Sequence, residues 1–260
     1  MKYLKFLRTY VCLLLGFAAF TACTSDEEEA LIPEGKGYVK LSLNADAGFQ
    51  TKAVDESEYS DVDNYTVQIF KSGQDDGNPI IEGVYGEMDE KYPLVTGQYV
   101  LKAFMGEDKA VSADVLYFYG QNGFKVSEGQ TVEVPVTCKP SSARINVVFD
   151  PTMDDYFSAY SVKIETEAQS PSSFDWTKET VGPIYFKVKE EEKVVFTVNL
   201  TNKENVTAKV DAVTYTLSPG NAKKITVKPH VNGGNLGISI NIDDKTNDHN
   251  VDIEIPGEWL

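Results

Sequence analysis

The sequence predicts an all-β protein: two tandem β-sandwich domains of the immunoglobulin-like kind, behind an apolar leader. Three observations predict it. Short runs rich in Val, Ile, Tyr, Phe and Thr alternate apolar and polar positions, the period of a strand with one buried face. Helical spacing is almost absent beyond two turns. Finally, the chain echoes itself at an interval close to the length of one sandwich domain, about 100 residues.

Lys2, Lys5 and Arg8 precede an uncharged apolar run over residues 11–22. That run is shorter than the roughly 20 apolar residues a spanning helix needs, and its charge lies on one side, as in a secretory signal peptide. Residues 1–22 are therefore expected to be removed. The run closes on Phe20-Thr21-Ala22-Cys23, which resembles the lipobox of bacterial lipoproteins. The resemblance implies that Cys23 becomes the first mature residue and carries lipid. Several acyl chains, at about 0.8 kcal/mol per buried methylene, would hold such a chain on a membrane. The acidic tract Thr24-Ser25-Asp26-Glu27-Glu28-Glu29 resembles the export signal of surface lipoproteins in Bacteroidales. It implies an outer-membrane anchor facing outward, with residues 23–36 as a solvated linker.

Composition excludes several functions. Of 260 residues, 42% are hydrophobic and 25% charged, enough to build cores. The formal net charge is −16 and becomes −19 once the three basic residues of the leader are removed, a field that repels phosphate backbones. Nucleic acid is not an expected partner. Cys12 leaves with the leader and Cys23 is lipidated, so Cys138 stands alone and no intramolecular disulfide is expected. Cys138 lies in an alternating run, Val132-Glu133-Val134-Pro135-Val136-Thr137-Cys138, and reads as a small buried hydrophobe. The two histidines, His230 and His249, fall in no ligand or catalytic pattern. Zinc spacing, a nucleophile elbow and a phosphate loop are lacking. The chain is read as no enzyme, with no metal and no cofactor.

Strands are expected at 38–44, 65–70, 98–104, 131–137, 144–149, 160–166, 194–200, 223–227 and 236–242, with one short helix at 154–159. Val39, Leu41 and Leu43, or Ile145, Val147 and Phe149, fall on one face. Asn64-Tyr65-Thr66-Val67-Gln68-Ile69 is echoed ninety-five residues on by Ala159-Tyr160-Ser161-Val162-Lys163-Ile164. Tyr99-Val100-Leu101-Lys102-Ala103 returns at the same offset as Val194-Val195-Phe196-Thr197-Val198. The segment 126–134 returns as 217–225, with Gly129 answered by Gly220. The expected domains are 37–140 and 141–260, divided where Pro140 and two serines interrupt the pattern. Gln74-Asp75-Asp76-Gly77-Asn78 reads as a turn in which Asp-Gly accepts positive φ, and the acidic loop 243–248 as a solvated hairpin turn.

The order Gly37-Tyr38-Val39-Lys40-Leu41-Ser42-Leu43, Thr51-Lys52-Ala53, Val62-Asp63-Asn64-Tyr65-Thr66-Val67-Gln68-Ile69, Leu94-Val95-Thr96-Gly97-Gln98-Tyr99, Tyr117-Phe118-Tyr119-Gly120 and Ile253-Glu254-Ile255-Pro256 resembles a family of Bacteroidales lipoproteins with a domain of unknown function. That family is in turn similar to fimbrillin-like surface adhesins. The resemblance implies a non-catalytic surface lipoprotein acting in adhesion or as a fimbrial or accessory subunit, with like subunits joined by strand exchange. It also implies proteolytic maturation at Lys52, before Ala53, with 38–44 as the removable strand; Thr51-Lys52-Ala53 also reads as an ordinary loop.

A second reading is a surface glycan-binding lipoprotein serving nutrient uptake. Tyr117 and Tyr119, beside Gln121 and Asn122, and Trp176, beside Asp175, supply flat rings next to amides and carboxylates. In alternating strands, half of such rings face the core instead.

Overall fold

The computed structural model describes residues 35–254 apart from 47, 50–56, 75–76, 211, 233–234 and 244–248. Cys23, Lys52 and Ala53 lie outside the described residues. The first half of the chain forms β1 (Lys36–Ala45), β2 (Thr66–Lys71), β3 (Ile81–Val84), β4 (Lys91–Val95), β5 (Gly97–Gly106), β6 (Val111–Ser112), β7 (Tyr117–Val126) and β8 (Thr131–Pro140). The second forms β9 (Ser142–Phe149), the short helix α1 (Met153–Tyr156), β10 (Phe157–Glu165), β11 (Phe174–Thr177), β12 (Ile184–Lys187), β13 (Glu192–Asn202), β14 (Thr207–Lys209), β15 (Val213–Leu217), β16 (Ala222–Asn232), β17 (Asn235–Asp243) and β18 (His249–Glu254). Every strand expected from the sequence is present. The expected helix is shorter, because Phe157 already opens β10.

In each half two layers of strands face each other across an apolar core, with the first strand parallel to a late one. In the first half the layers are continuous through β7–β8 pairing, in the order β3-β2-β5-β7-β8-β1-β4. β1 runs beside β8, from Tyr38 opposite Thr131 to Ala45 opposite Cys138, with β4 antiparallel on its other edge. β9 repeats this between β16 and β12. The opposite layer of the first half is β3-β2-β5-β7, and that of the second is β11-β10-β13, with β13 continuing to β14 and β15. The sequence echoes map onto these equivalences. Val67 opposes Ala103, and Val162 opposes Val198 at the same offset; all four are buried. Gly129 and Gly220 turn the chain at φ of 72° and 80°, where residues other than glycine are strained. The repeat in sequence is therefore a repeat in pairing register. At the 74–78 turn the Gly77 N–H donates to the Gln74 carbonyl at 3.1 Å, and Gly73, just before it, lies at φ of 80°.

One buried cluster includes Val39, Tyr65, Ile69, Leu101, Phe118 and Cys138, and the other Ile145, Phe157, Ile164, Trp176, Phe196 and Ile240. Tyr65 donates its hydroxyl to the Tyr59 carbonyl at 2.7 Å, and Tyr59 stacks on Phe118.

The halves are joined at strand level. A single residue, Ser141, separates β8 from β9, and β6 of the first half extends the second half's sheet by pairing with β12. Lys187 reaches Asp108 across the junction at 2.7 Å. Phe49, after β1, packs against Tyr185 of β12 with ring centroids 5.7 Å apart and lies 5.5 Å from the Arg144 guanidinium carbon. Arg144 is only 3% exposed, so this cation–π contact is largely desolvated.

Gly120 sits where β7 crosses to β8. A Cβ there would lie 2.6 Å from the Thr137 carbonyl oxygen and 2.8 Å from Val136 Cγ1, whereas a Cβ at Gly123 meets nothing nearer than 3.9 Å. Gly120→Ala is therefore expected to lower stability by about 1–3 kcal/mol, as overpacking does. Gly123→Ala should leave the urea midpoint close to that of the unaltered protein.

Candidate functional site

The outer face of β5 and β7 carries three half-buried aromatic residues, Phe104, Tyr117 and Tyr119. Alternation turns Phe118 inward, at 0% exposure, and so turns Tyr117 and Tyr119 outward, where both stay partly accessible. Their centroids are 6.1 Å apart and their planes 21° from parallel. Phe104 of β5 lies opposite Tyr119 in register, with its centroid 6.1 Å from that of Tyr117. The Tyr119 hydroxyl donates to Gln121 Oε1 at 2.6 Å. Burial, and then the Asp108 carboxylate, push the Tyr117 phenol up to about 12, which keeps its hydroxyl a neutral donor.

Tyr119 also forms part of the wall of a cavity of about 550 Å³ between the halves. Asp46, Lys139, Ser141, Glu190 and Asn221 contribute to the same wall. Ser141 Oγ is buried there without a hydrogen-bond partner. A polar atom left so costs about 1–3 kcal/mol, and native structures keep few of them.

Of the three rings the sequence offers for a glycan platform, Tyr117 and Tyr119 face outward, whereas Trp176 does not reach the surface. Trp176 is 1% exposed and pairs with Val162 on the inward side of its layer. Gly182 passes so close that a Cβ there would lie 2.5 Å from the indole Cη2. Phe104 and the cavity residues were missed. Phe104 joins the strip only through the β5–β7 register, and the cavity brings together residues more than 170 positions apart, Asp46 and Asn221 among them.

The seat of β1 is the second candidate. Tyr38 N–H donates to Gln130 O and Asp46 N–H to Cys138 O, each at 2.9 Å. In that parallel register the even-numbered β8 residues turn their backbone to β1 and the odd-numbered ones to the opposite edge. Pro135 falls on that opposite edge with no N–H to offer, and Asn122 donates to its carbonyl at 2.8 Å. The edge is thereby blunted against strand addition. In the second half the corresponding edge of β16 carries β17 and β18. Past Lys40, where β4 stops pairing, the Tyr85 hydroxyl accepts from Leu43 N–H and donates to the Leu41 carbonyl, both at 3.4 Å.

The other singled-out residues have structural surroundings. Cys138 is fully buried, with Sγ 3.4 Å from the Ala103 carbonyl. His230 lies on β16 opposite Gly237, and His249 opens β18. The acidic segment before β13 is occupied locally: Glu192 accepts from the backbone of Glu167 and Lys189, and Lys189 pairs with Glu167. Among the described residues, no group of three or more His, Cys, Asp or Glu could hold a metal ion.

Residues 35–257 match the family described as a domain of unknown function, DUF4493, and the chain belongs to that family. Among curated proteins, none matches the sequence. Among solved structures, the chain is similar to the fimbrial anchor protein Mfa2 of Porphyromonas gingivalis, at 12% identity over 80% of this chain and 97% of that one, with a TM-score of 0.49. A candidate adhesin from Bacteroides ovatus is similar at 10% identity over 83% and 95%, with a TM-score of 0.48. A candidate polysaccharide-binding protein from Bacteroides thetaiotaomicron is similar at 11% identity over 86% and 99%, with a TM-score of 0.45.

Burial raises the Cys138 thiol from its ordinary value near 9 to about 12. Ellman's reagent at pH 8 is expected to leave Cys138 untouched in the folded protein and to label it in urea. Because the folded thiol and the Tyr117 and Tyr160 phenols, both also raised to about 12, hold protons that the unfolded chain releases first, stability falls as pH rises. The urea midpoint should be level up to about pH 8 and decline toward about pH 12.

Proposed function

We propose that the chain is a non-catalytic, lipid-anchored outer-membrane protein of the cell surface, fimbrillin-like, acting in adhesion or as a fimbrial or accessory subunit. Residues 37–140 and 141–260 are its two structural units, and Cys23 is its anchor. The observation that carries this assignment is the seat of β1. An N-terminal strand lies inside a layer, bonded on one edge along its whole length and on the other only as far as Lys40. The residues after it lead to Lys52 and Ala53. Were β1 to leave, the inner edges of β8 and β4 would expose unpaired N–H and C=O groups and the pocket of Val39, and an incoming strand would satisfy both. Pro135 and Asn122 discourage pairing at the other edge of β8, so exchange is directed to this groove.

A second reading, a surface glycan-binding lipoprotein, is favoured by the outward, nearly parallel rings of Tyr117 and Tyr119.

Outer-membrane material from cells expressing the full chain tests the first reading. The expectation is membrane association lost in Cys23→Ala, a ladder of multimers that collapses on heating in detergent, and a new N-terminus at Ala53 that Lys52→Gln abolishes. A single heat-independent band retaining lipidated Cys23 would rule out polymerisation by strand exchange.

A further inference from the structure

We infer that the Phe104, Tyr117 and Tyr119 strip, together with the cavity beside Tyr119, forms a binding site for a neutral saccharide. This rests on the surface-adhesion function proposed above and names its ligand class. The strip offers two rings 21° from parallel, Tyr117 and Tyr119, with Phe104 tilted 42° against Tyr117, a shallow aromatic wall on which the C–H faces of pyranose rings can pack. Next to it stand groups that both give and take hydrogen bonds. Asp108 lies close enough to raise the Tyr117 phenol, and Gln121 holds the Tyr119 hydroxyl. Asp46, Lys139 and Glu190 stand in the cavity wall. Apolar faces with a few convergent polar groups are the usual make-up of small-ligand sites.

Other ligand classes fit less well. A peptide adding as a strand needs free backbone groups, but β7 is paired with β5 on one side. On the other, Phe118 and Tyr119 pair with β8, and the Tyr117 carbonyl accepts from Ser141 N–H at 2.9 Å. An anionic polymer meets a chain of net charge −16 and two carboxylates in the cavity wall. A neutral sugar meets neither obstacle.

The test is binding of the full chain, kept in a detergent without a sugar headgroup, to an array of neutral and uronic-acid polysaccharides, followed by titration with the best oligosaccharide. We expect neutral glycans to bind, Tyr119→Ala and Tyr117→Ala each to weaken binding about tenfold, and Tyr119→Phe to keep it. If Tyr119→Ala does not fold, judged by Cys138 labelling, Glu190→Gln on an exposed side chain should weaken binding from the cavity wall. Binding confined to uronic-acid polymers, binding indifferent to these changes, or no binding at all would overturn the inference. Adherence of cells separates it from the adhesion function. A strain lacking the protein that adheres as well as its parent refutes adhesion, whereas loss of adherence without any saccharide binding refutes only the sugar site.

Discussion

The parallel ladder between β1 and β8, repeated between β9 and β16, is the constraint on which the molecule depends. It joins residues some ninety positions apart in the first half and nearly eighty in the second. By placing an early strand beside a late one, it completes the layer that faces β2-β5-β7 or β10-β13-β15. Without it Val39 and Ile145, both 0% exposed, would face water, and β4 and β12 would have no sheet to join. Such long-range pairing is entropically expensive to begin and slows folding. The same pairing recurs in both halves, with Val39 beside Val132 and Ile145 beside Lys223.

The junction follows from the same arrangement. Because β8 passes into β9 through Ser141 alone, the two layers must meet edge to edge, and β6, Phe49 and Tyr185 fill the space between them. The cavity is what that filling leaves. Its walls come from the segment after β1, the start of β7, the end of β8 with Ser141, Glu190 before β13 and the turn before β16. The aromatic strip abuts it because β7 begins at the same seam.

Much of the fold was legible in the sequence because the long central strands obey alternation. Val67 and Ile69, Leu101 and Ala103, Val162 and Ile164 announce their inward face directly. The strands that escaped are short or interrupted. β3, β4, β11 and β12 have only four or five residues each, and β7 contains Gly120, Asn122 and Gly123, which read as turn residues. The site was half legible. Tyr117 and Tyr119 declare themselves by spacing, but inward or outward is a matter of phase, and Trp176 on its four-residue strand gave too little sequence to fix that phase. Phe104 and the cavity depend on register and on the seam between halves, which periodicity within one strand does not encode.

The parallel ladder also has a mechanical meaning. A protein held at its N-terminal end and engaged farther along its chain carries tension from the start of β1 to the end of β8. Because those strands run in the same direction, opposite pulls on these two ends slide one strand along the other. The load is then shared across all the hydrogen bonds of the ladder at once, instead of opening them one at a time. The first half is thus built to resist shear along its own chain axis for as long as β1 is seated.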